Sequence, residues 1–566
     1  MLSENAMTVL ERRYLLPGET PEQLFTRVAH HIASFNDSEE LEPDFYEAMS
    51  TLKFLPNSPT LMNAGTGQGT LSACFVLPLE DTMEGIMDTA KDAAMVQKFG
   101  GGTGFSLSKL RSKGAPISTT HGRACGPVAV LEHLSSVSRL VTQGGKRDGA
   151  NMAVLRVSHP DIMQFITCKE TEGDIHNFNI SVGVDDLFME AVEGDSQYAL
   201  RHGDNTIAEW VRAREVWNAI VDNAYRNGEP GIVFLDTINR QHSEMGLGEI
   251  SATNPCGEQP LLPNESCNLG SIDVSKFVID GVFDTTDFAE YVRLGVRFLD
   301  NVIDANEYAT TDIERQTLGT RKIGLGIMGL ADALVRLRIP YDSEEGRKFG
   351  QDLMQLLQII SDDESRKLAV ERGAYPFSED GRYRNACRTT IAPTGTISML
   401  AGCSSGIEPL FALSYRKQNI LDQGTGATAV TYVNEYLAGE LSEDEADRLK
   451  AGASLASIRK DLADIYAVSG EISVLGHVGM QAAFQQYCDS GVSKTINLPA
   501  DAKRSDISAA YLQAFALGCK GITVYRAGSR EKEVLVDNAD LCPECGSKVA
   551  MEDGCKKCYS CTWSAC

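Results

Sequence analysis

The stretch Asn254–Asp273, NPCGEQPLLPNESCNLGSID, places two cysteines on either side of a proline-punctuated turn. Cys256 alternates with an amide at Asn254 and a carboxylate at Glu258. In extended backbone, residues two apart share a face, so this spacing predicts an amide, a thiol and an acid in one pocket. A nucleophilic cysteine wants a histidine partner, and none lies nearby. A neighbouring carboxylate also disfavours the thiolate. A neutral thiol held near a base suits hydrogen-atom chemistry better, although a polar strand edge would carry the same alternation.

The chain around this stretch reads as α/β. The first fifty residues are helical and amphipathic, with TPEQLFTRVAHHIASF opening on the N-cap Thr20 and Pro21. LPNSPTLMNAG breaks that pattern, and LSACFVLPLE reads as a buried strand around Cys74. The glycine-rich KFGGGTGFSLSKLRSKG (Lys98 to Gly114) looks like backbone passing close to a ligand or another segment. Trp210, Ala213, Trp217, Ile220 and Ala224 recur at helical spacing and stop near Asn227-Gly228, ahead of a strand in GEPGIVFLDTINR. FAEYVRLGVRFLDNVID is a second amphipathic helix, and CRTTIAPTGTISML a strand running into a Gly/Thr/Ser loop. Helices alternating with short apolar strands argue an α/β architecture, and no internal repeat interrupts it.

With 566 residues, 43% hydrophobic and 23% charged, the chain has room for a large core and more than one domain. Its formal charge of -26 argues against binding a nucleic-acid backbone, which needs a basic surface. The opening MLSENAMTVLERRYLL mixes acids and arginines among its apolar residues and makes a poor secretory signal. No apolar run is long enough to cross a bilayer. A cytoplasmic protein without membrane contact is expected.

Six of the 15 cysteines crowd into the last 25 residues, after a charged, unpatterned stretch from about Ser529 that reads as a linker over 529–540. Cys542-x-x-Cys545 and Cys555-x-x-Cys558-x-x-Cys561 have the ligand spacing of a small zinc ribbon over 541–566. Four thiolates suffice for zinc, so Cys542, Cys545, Cys555 and Cys558 are one ligand set, with Cys558/Cys561 an equally good second knuckle. Cys561 and Cys566 then remain as a reversible dithiol near the free end. An ordinary structural or nucleic-acid-binding ribbon is the plainer alternative, and the acidic charge weighs against it.

NPCGEQPLLPNESCNLGSID resembles the active-site finger loop of ribonucleotide reductases, specifically the adenosylcobalamin-dependent (class II) catalytic chain. LPNSPTLMNAG, LSACFVLP, GGGTGFSLSKLR, IAPTGTISMLAGCSSGIEP, MQAAFQQYCDSGVSKTINLP and GCKGITVYRAGSR follow in family order over nearly the whole chain. The resemblance implies that Cys256 carries a thiyl radical, that Glu258 takes the 3′-hydroxyl proton and that Asn254 holds the sugar hydroxyls. It pairs Cys74 with Cys267 as the reducing dithiol, a pairing the sequence alone leaves open. It places substrate beside Ser58 and Ala73, with its phosphates on Thr394, Gly395, Thr396, Ile397 and Ser398. Without the family match, that Thr/Gly/Ser loop would be a plain turn. TQGGKRDGANM and ETEGDIHNFNISVG resemble effector loops for ATP or deoxynucleotides, where Lys146 and Arg147 would meet phosphate.

The family's fold is a ten-stranded α/β barrel, two five-stranded parallel halves packed antiparallel around the finger loop. It is expected over 51–528, after a helical segment 1–50 that leaves no room for an ATP-binding cone. Class I chains end the barrel on adjacent tyrosines that relay a radical from a metal-bearing partner; here Tyr525 is followed by Arg526. That difference favours adenosylcobalamin over a class I subunit with an unusual relay, and the intact cysteine set speaks against a non-catalytic nucleotide-binding relative. The resemblance further implies a homodimer reducing ribonucleoside di- or triphosphates, with Cys561 and Cys566 passing electrons from a thioredoxin-like or other dithiol.

Overall fold

The computed structural model describes residues 2–143, 147–148, 150–171, 175–417, 430–450 and 453–529, with the short segments 535–537, 550–552, 555–557 and 564–565. The N-terminal helices form where the apolar residues repeat at three and four. Pro21–Ala33 starts on a capping box in which Thr20 and Gln23 satisfy each other's backbone amides, and it buries Leu24, Phe25, Val28, Ala29 and Ile32. Its core continues into Phe45, Phe54 and Phe298, whose rings meet edge to face with centroids 5.0 and 5.3 Å apart. Burying each such side chain contributes about 1.5–3 kcal/mol. This layer packs on the long helix Thr285–Ala305, which the sequence had marked.

The strands that place the functional residues are β1 (Phe54–Pro56), β2 (Cys74–Leu77), β3 (Gly102–Ser106), β4 (Asn151–Arg156), β5 (Phe178–Val184) and β6 (Gly231–Phe234). They continue with β7 (Ala252–Thr253), β8 (Pro260–Leu261), β9 (Ser266–Asp273), β10 (Ile323–Met328), β11 (Thr495–Leu498) and β12 (Gly521–Arg526). Ten of these, all but β7 and β8, form one sheet in the order β1-β9-β2-β3-β4-β5-β6-β12-β11, with β10 on β9. Strands β2 to β6 are mutually parallel, one complete five-stranded half. The second half holds the parallel pairs β9/β10 and β11/β12, and the halves meet antiparallel at β2/β9 and β6/β12. Its middle member is the stretch 389–391, joined to β10 by the bridge Leu325–Thr389 and to the approach of β11 by Ile391–Val492. The continuous ladder is open there, where the expected barrel has only those two bridges. Every residue of β9 and β10 is buried, as strands covered on both faces require.

Strands β7 and β8 pair as a hairpin whose tip, residues 254–259, is the finger loop. Glycines let it lie between the two halves. A Cβ on Gly104 would stand 1.8 Å from the Thr253 carbonyl oxygen, and one on Gly102 2.8 Å from the Pro255 ring. On the other side the Gly491 amide donates to Glu258 O at 2.7 Å and the Thr390 hydroxyl to the same oxygen at 2.9 Å. The glycine-rich stretch after Lys98 is explained by this close approach.

Some expectations are corrected. Trp210 is not on the helix, which starts at Ala213; it stands on the strand Ile207–Arg212 and is 54% exposed. The Thr/Gly/Ser loop does run into a helix start, as anion binding there would need: the short helix Gly395–Ala401. Cys542, Cys545, Cys558, Cys561, Cys566 and Lys146 lie outside the described residues, while Cys555 and Arg147 fall in short strands. The expected zinc ribbon is therefore not described, and no group of three or more metal-binding side chains occurs among the described residues. No described helix is long and apolar enough to cross a membrane.

Candidate active site

Cys74 and Cys267 stand directly opposite each other in the antiparallel pair β2/β9. Residues so paired hold their Cα atoms about 4.5–5.5 Å apart, within the range a disulfide spans. Both cysteines are free and buried. The pairing that the sequence left open is thus one of register.

The hairpin tip brings the other groups to this pair. The Asn254 carboxamide accepts from the Gln259 amide at 2.9 Å and donates to Cys74 Sγ at 3.1 Å. Cys74 Sγ in turn donates to Glu258 Oε1 at 3.8 Å. Cys267 Sγ donates to the carbonyls of Asn268 and Lys322 at 3.4 and 3.5 Å. Burial first, and then the Glu258 carboxylate, push the Cys74 thiol well above its ordinary pKa. Burial does the same to Cys267. At neutral pH both sulfurs therefore keep their hydrogens, which suits giving up protons and electrons rather than acting as standing thiolates.

Asn254, Cys256 and Glu258 do not alternate along an extended strand. The Gly257 amide donates to Asn254 O at 3.1 Å, and Gly257 has φ +83°, so the three sit on a tight turn. Asn254 and Glu258 are buried and Cys256 is exposed. The turn gathers all three, with Cys74, on one cavity of about 330 Å³.

Ser58, Ala73, Thr394, Gly395, Thr396 and Ile397 line the same cavity. Ser398 does not; it is buried and its hydroxyl pairs with Ser405 Oγ at 2.9 Å. Thr394 holds the left-handed φ +51° and accepts from the Gly406 amide at 2.7 Å. Two residues that spacing could not find reach this wall from the N-terminal helices. Tyr14 Oη pairs with Ser58 Oγ at 2.8 Å, and Arg13 Nη1 donates to Thr396 Oγ1 at 3.2 Å.

Cys256 and Pro255 also border a second cavity of about 380 Å³, with Asn179, Gly228, Gly231, Lys494, Gly521 and Tyr525. Cys256 therefore borders both cavities. Behind Cys267 lies a buried ionic group that the sequence reading also missed: Lys322 Nζ pairs with Glu265 at 2.8 Å and stands 3.7 Å from Glu244. Cys387 is close enough to Lys322 and Glu244 to feel both, and burial pushes its thiol up to about 12.

The ribonucleotide reductase barrel-domain model matches residues 72–383 and 378–525, and the all-alpha-domain model matches 1–69. A Thermoplasma acidophilum protein named vitamin B12-dependent ribonucleoside-diphosphate reductase is 47% identical over 87% of this chain and 66% of its own length. A Mycobacterium tuberculosis protein of the same name is 43% identical over 94% of this chain, which spans 80% of it. The Variola virus ribonucleoside-diphosphate reductase large subunit is 29% identical over 90% of this chain and 75% of its own. Among solved structures, the Actinobacillus ureae class Id ribonucleotide reductase alpha subunit superposes with a TM-score of 0.79 at 23% identity, covering 93% of this chain and 97% of that one. The family models over most of the chain, with the Mycobacterium tuberculosis relative at 43% identity, show that the chain belongs to the ribonucleotide reductase family.

Proposed function

We propose that this chain reduces ribonucleoside diphosphates to 2′-deoxyribonucleotides with a thiyl radical at Cys256, using adenosylcobalamin. The single observation that carries the reading is the grouping of Cys256, Glu258, Asn254 and Cys74 on one cavity, with Cys267 in register behind Cys74. The Cys256 radical takes the hydrogen atom from the ribose 3′ carbon while Glu258 takes the proton of the 3′ hydroxyl. Cys74 gives its proton to the 2′ hydroxyl, which leaves as water. The dithiol gives its second hydrogen to the 2′ carbon and, with both reducing electrons spent, becomes the Cys74–Cys267 disulfide; Glu258 returns its proton to the 3′ oxygen and Cys256 returns the 3′ hydrogen. Phosphate groups rest on Thr394 to Ile397, with Arg13 beside Thr396 to balance their charge.

Adenosylcobalamin, when bound, supplies the one-electron oxidant for the Cys256 thiol. The residues present fit such a group. The second cavity also borders Cys256, and Gly228, Gly231 and Gly521 put backbone in place of side chains on part of its wall. The names of the relatives at 43 and 47% identity support cobalamin over a metal-bearing partner, as does Arg526 following Tyr525. Tail thiols Cys561 and Cys566, passing electrons from an external dithiol, and zinc on Cys542, Cys545, Cys555 and Cys558 complete the reading, supported by their spacing. Effector binding near Lys146 and Arg147 in a homodimer rests on the loop resemblance. The test is nucleotide reduction by purified protein with and without adenosylcobalamin and with no second subunit. Product only with the cofactor is expected; cofactor-independent turnover would overturn the assignment.

A further inference from the structure

Asn179 reaches across the sheet to the loop that carries Cys256. Its Nδ2 donates to the carbonyl oxygen of Pro255 at 2.8 Å, the residue immediately before the reactive cysteine. The donor stands on a firm base. β5 is laddered to β4 on one side and β6 on the other, with Asn179 opposite Met152. Just before it, the Asn177 carbonyl accepts from Asn151 Nδ2 at 2.9 Å. The same Asn151 amide donates to Ser138 Oγ at 2.8 Å, and its Oδ1 accepts from Gln97 and Thr103, each at 2.6 Å. These bonds tie the approach to β5, through Asn151, to two helices and to β3.

The peptide that Asn179 holds is an unusual lever. The proline ring fixes φ of Pro255 near −65°, and the peptide bond is planar, so ψ of Pro255 is the one soft torsion orienting the Pro255–Cys256 plane. A donor that fixes the carbonyl fixes ψ. The tip also lies close on β3: a Cβ on Gly102 would stand 2.8 Å from the Pro255 ring. Asn179 also borders the second cavity beside Cys256.

We propose that Asn179 is a positioning residue for the Cys256 sulfur, holding the Pro255 carbonyl so that the thiol faces both cavities at once. The role rests on the reading of Cys256 as a hydrogen-atom carrier, for which a misplacement of about 1 Å costs roughly a hundredfold in rate. Asn179 itself touches no reacting atom.

Two variants of the full chain test it. Asn179→Asp keeps the shape and lacks the N–H donor; Asn179→Ala removes the side chain without adding charge. Both are expected to lower kcat roughly a hundredfold, with nucleotide KM and the unfolding midpoint near wild type. Both should also speed amide hydrogen exchange in the peptide spanning 254–259. A merely stabilising tie would lower the unfolding midpoint and leave kcat of the folded fraction alone, and that result overturns the proposal. So does wild-type kcat in Asn179→Asp. If the wild-type protein shows no cobalamin-dependent turnover, the functional reading falls, and exchange in the 254–259 peptide still decides the positioning claim: faster exchange sustains it and unchanged exchange overturns it.

Discussion

The Asn254 carboxamide donates to the Cys74 sulfur across 180 residues of sequence while its oxygen accepts from Gln259. One side chain thus joins the hairpin tip to the strand that carries the dithiol. The mutual placement of Cys256, Glu258 and Cys74 is set by this local bridge and the glycine contacts around it.

Glu258→Gln keeps the size of the side chain and removes the base. Steady-state reduction should fall by about 10²–10⁴ in kcat with nucleotide KM little changed, the signature of an interaction made in the transition state. An unaltered kcat would take Glu258 out of the mechanism.

Cys74 and Cys267 are predicted to oxidise together. After one anaerobic turnover without reductant, peptide mapping should find a Cys74–Cys267 disulfide, as their register allows. Cys267→Ser should form no such bond, and its steady-state rate should fall by at least about a hundredfold with a small dithiol present. Mapping that returned both thiols intact after product formation would move the reducing electrons elsewhere.

Lys322 and Glu265 test the buried charge behind the dithiol. Burial works against the lysine's charge, yet the Glu265 and Glu244 carboxylates outweigh it and hold its pKa above the usual value. Lys322→Met leaves those carboxylates unpaired and should cost about 3–5 kcal/mol, read as a lower unfolding midpoint. Adding Glu265→Gln should recover part of the loss. Equal midpoints for the single variant and wild type would refute the ion pair's importance.

The pH dependence of stability has a definite sign at two buried groups. Burial and the nearby Lys494 cation push His477 down to about 3, whereas an unfolded histidine titrates near 6.5. Between these values the unfolded chain binds a proton that the fold refuses, so acidification destabilises by about 1.4 kcal/mol per pH unit. Asp273 acts oppositely: burial raises it to about 6, so the folded state holds its proton first as pH falls toward the unfolded value of about 3.9. Unfolding midpoints measured from pH 7 to 5 should fall less in His477→Gln and more steeply in Asp273→Asn than in wild type.

Much of this was legible from residue order wherever the signal is local. Thr20 caps its helix, Cys74 opens a buried strand, and the helix after Asp284 runs as its apolar repeat indicates. Trp210 shows how periodicity misleads: it keeps the helical spacing of Ala213 and Trp217 but sits on the preceding strand. Asn254, Cys256 and Glu258 share a cavity through a glycine turn, so the alternation pointed to the right neighbours through the wrong backbone. Asn179 and Pro255 are 76 residues apart, and Glu265 and Lys322 are 57 apart. No spacing rule reaches across such separations; only the sheet order brings these residues together.

The glycines that embrace the hairpin set a boundary for anyone redesigning the protein's substrate range. At positions 102, 104 and 491 even one methyl group would collide with Pro255, the Thr253 carbonyl or Gly257. The cysteine-bearing segment therefore resists stepwise remodelling. Altered selectivity is better sought at Ser58 or Thr396, which line the cavity from outside the hairpin and are held by Tyr14 and Arg13.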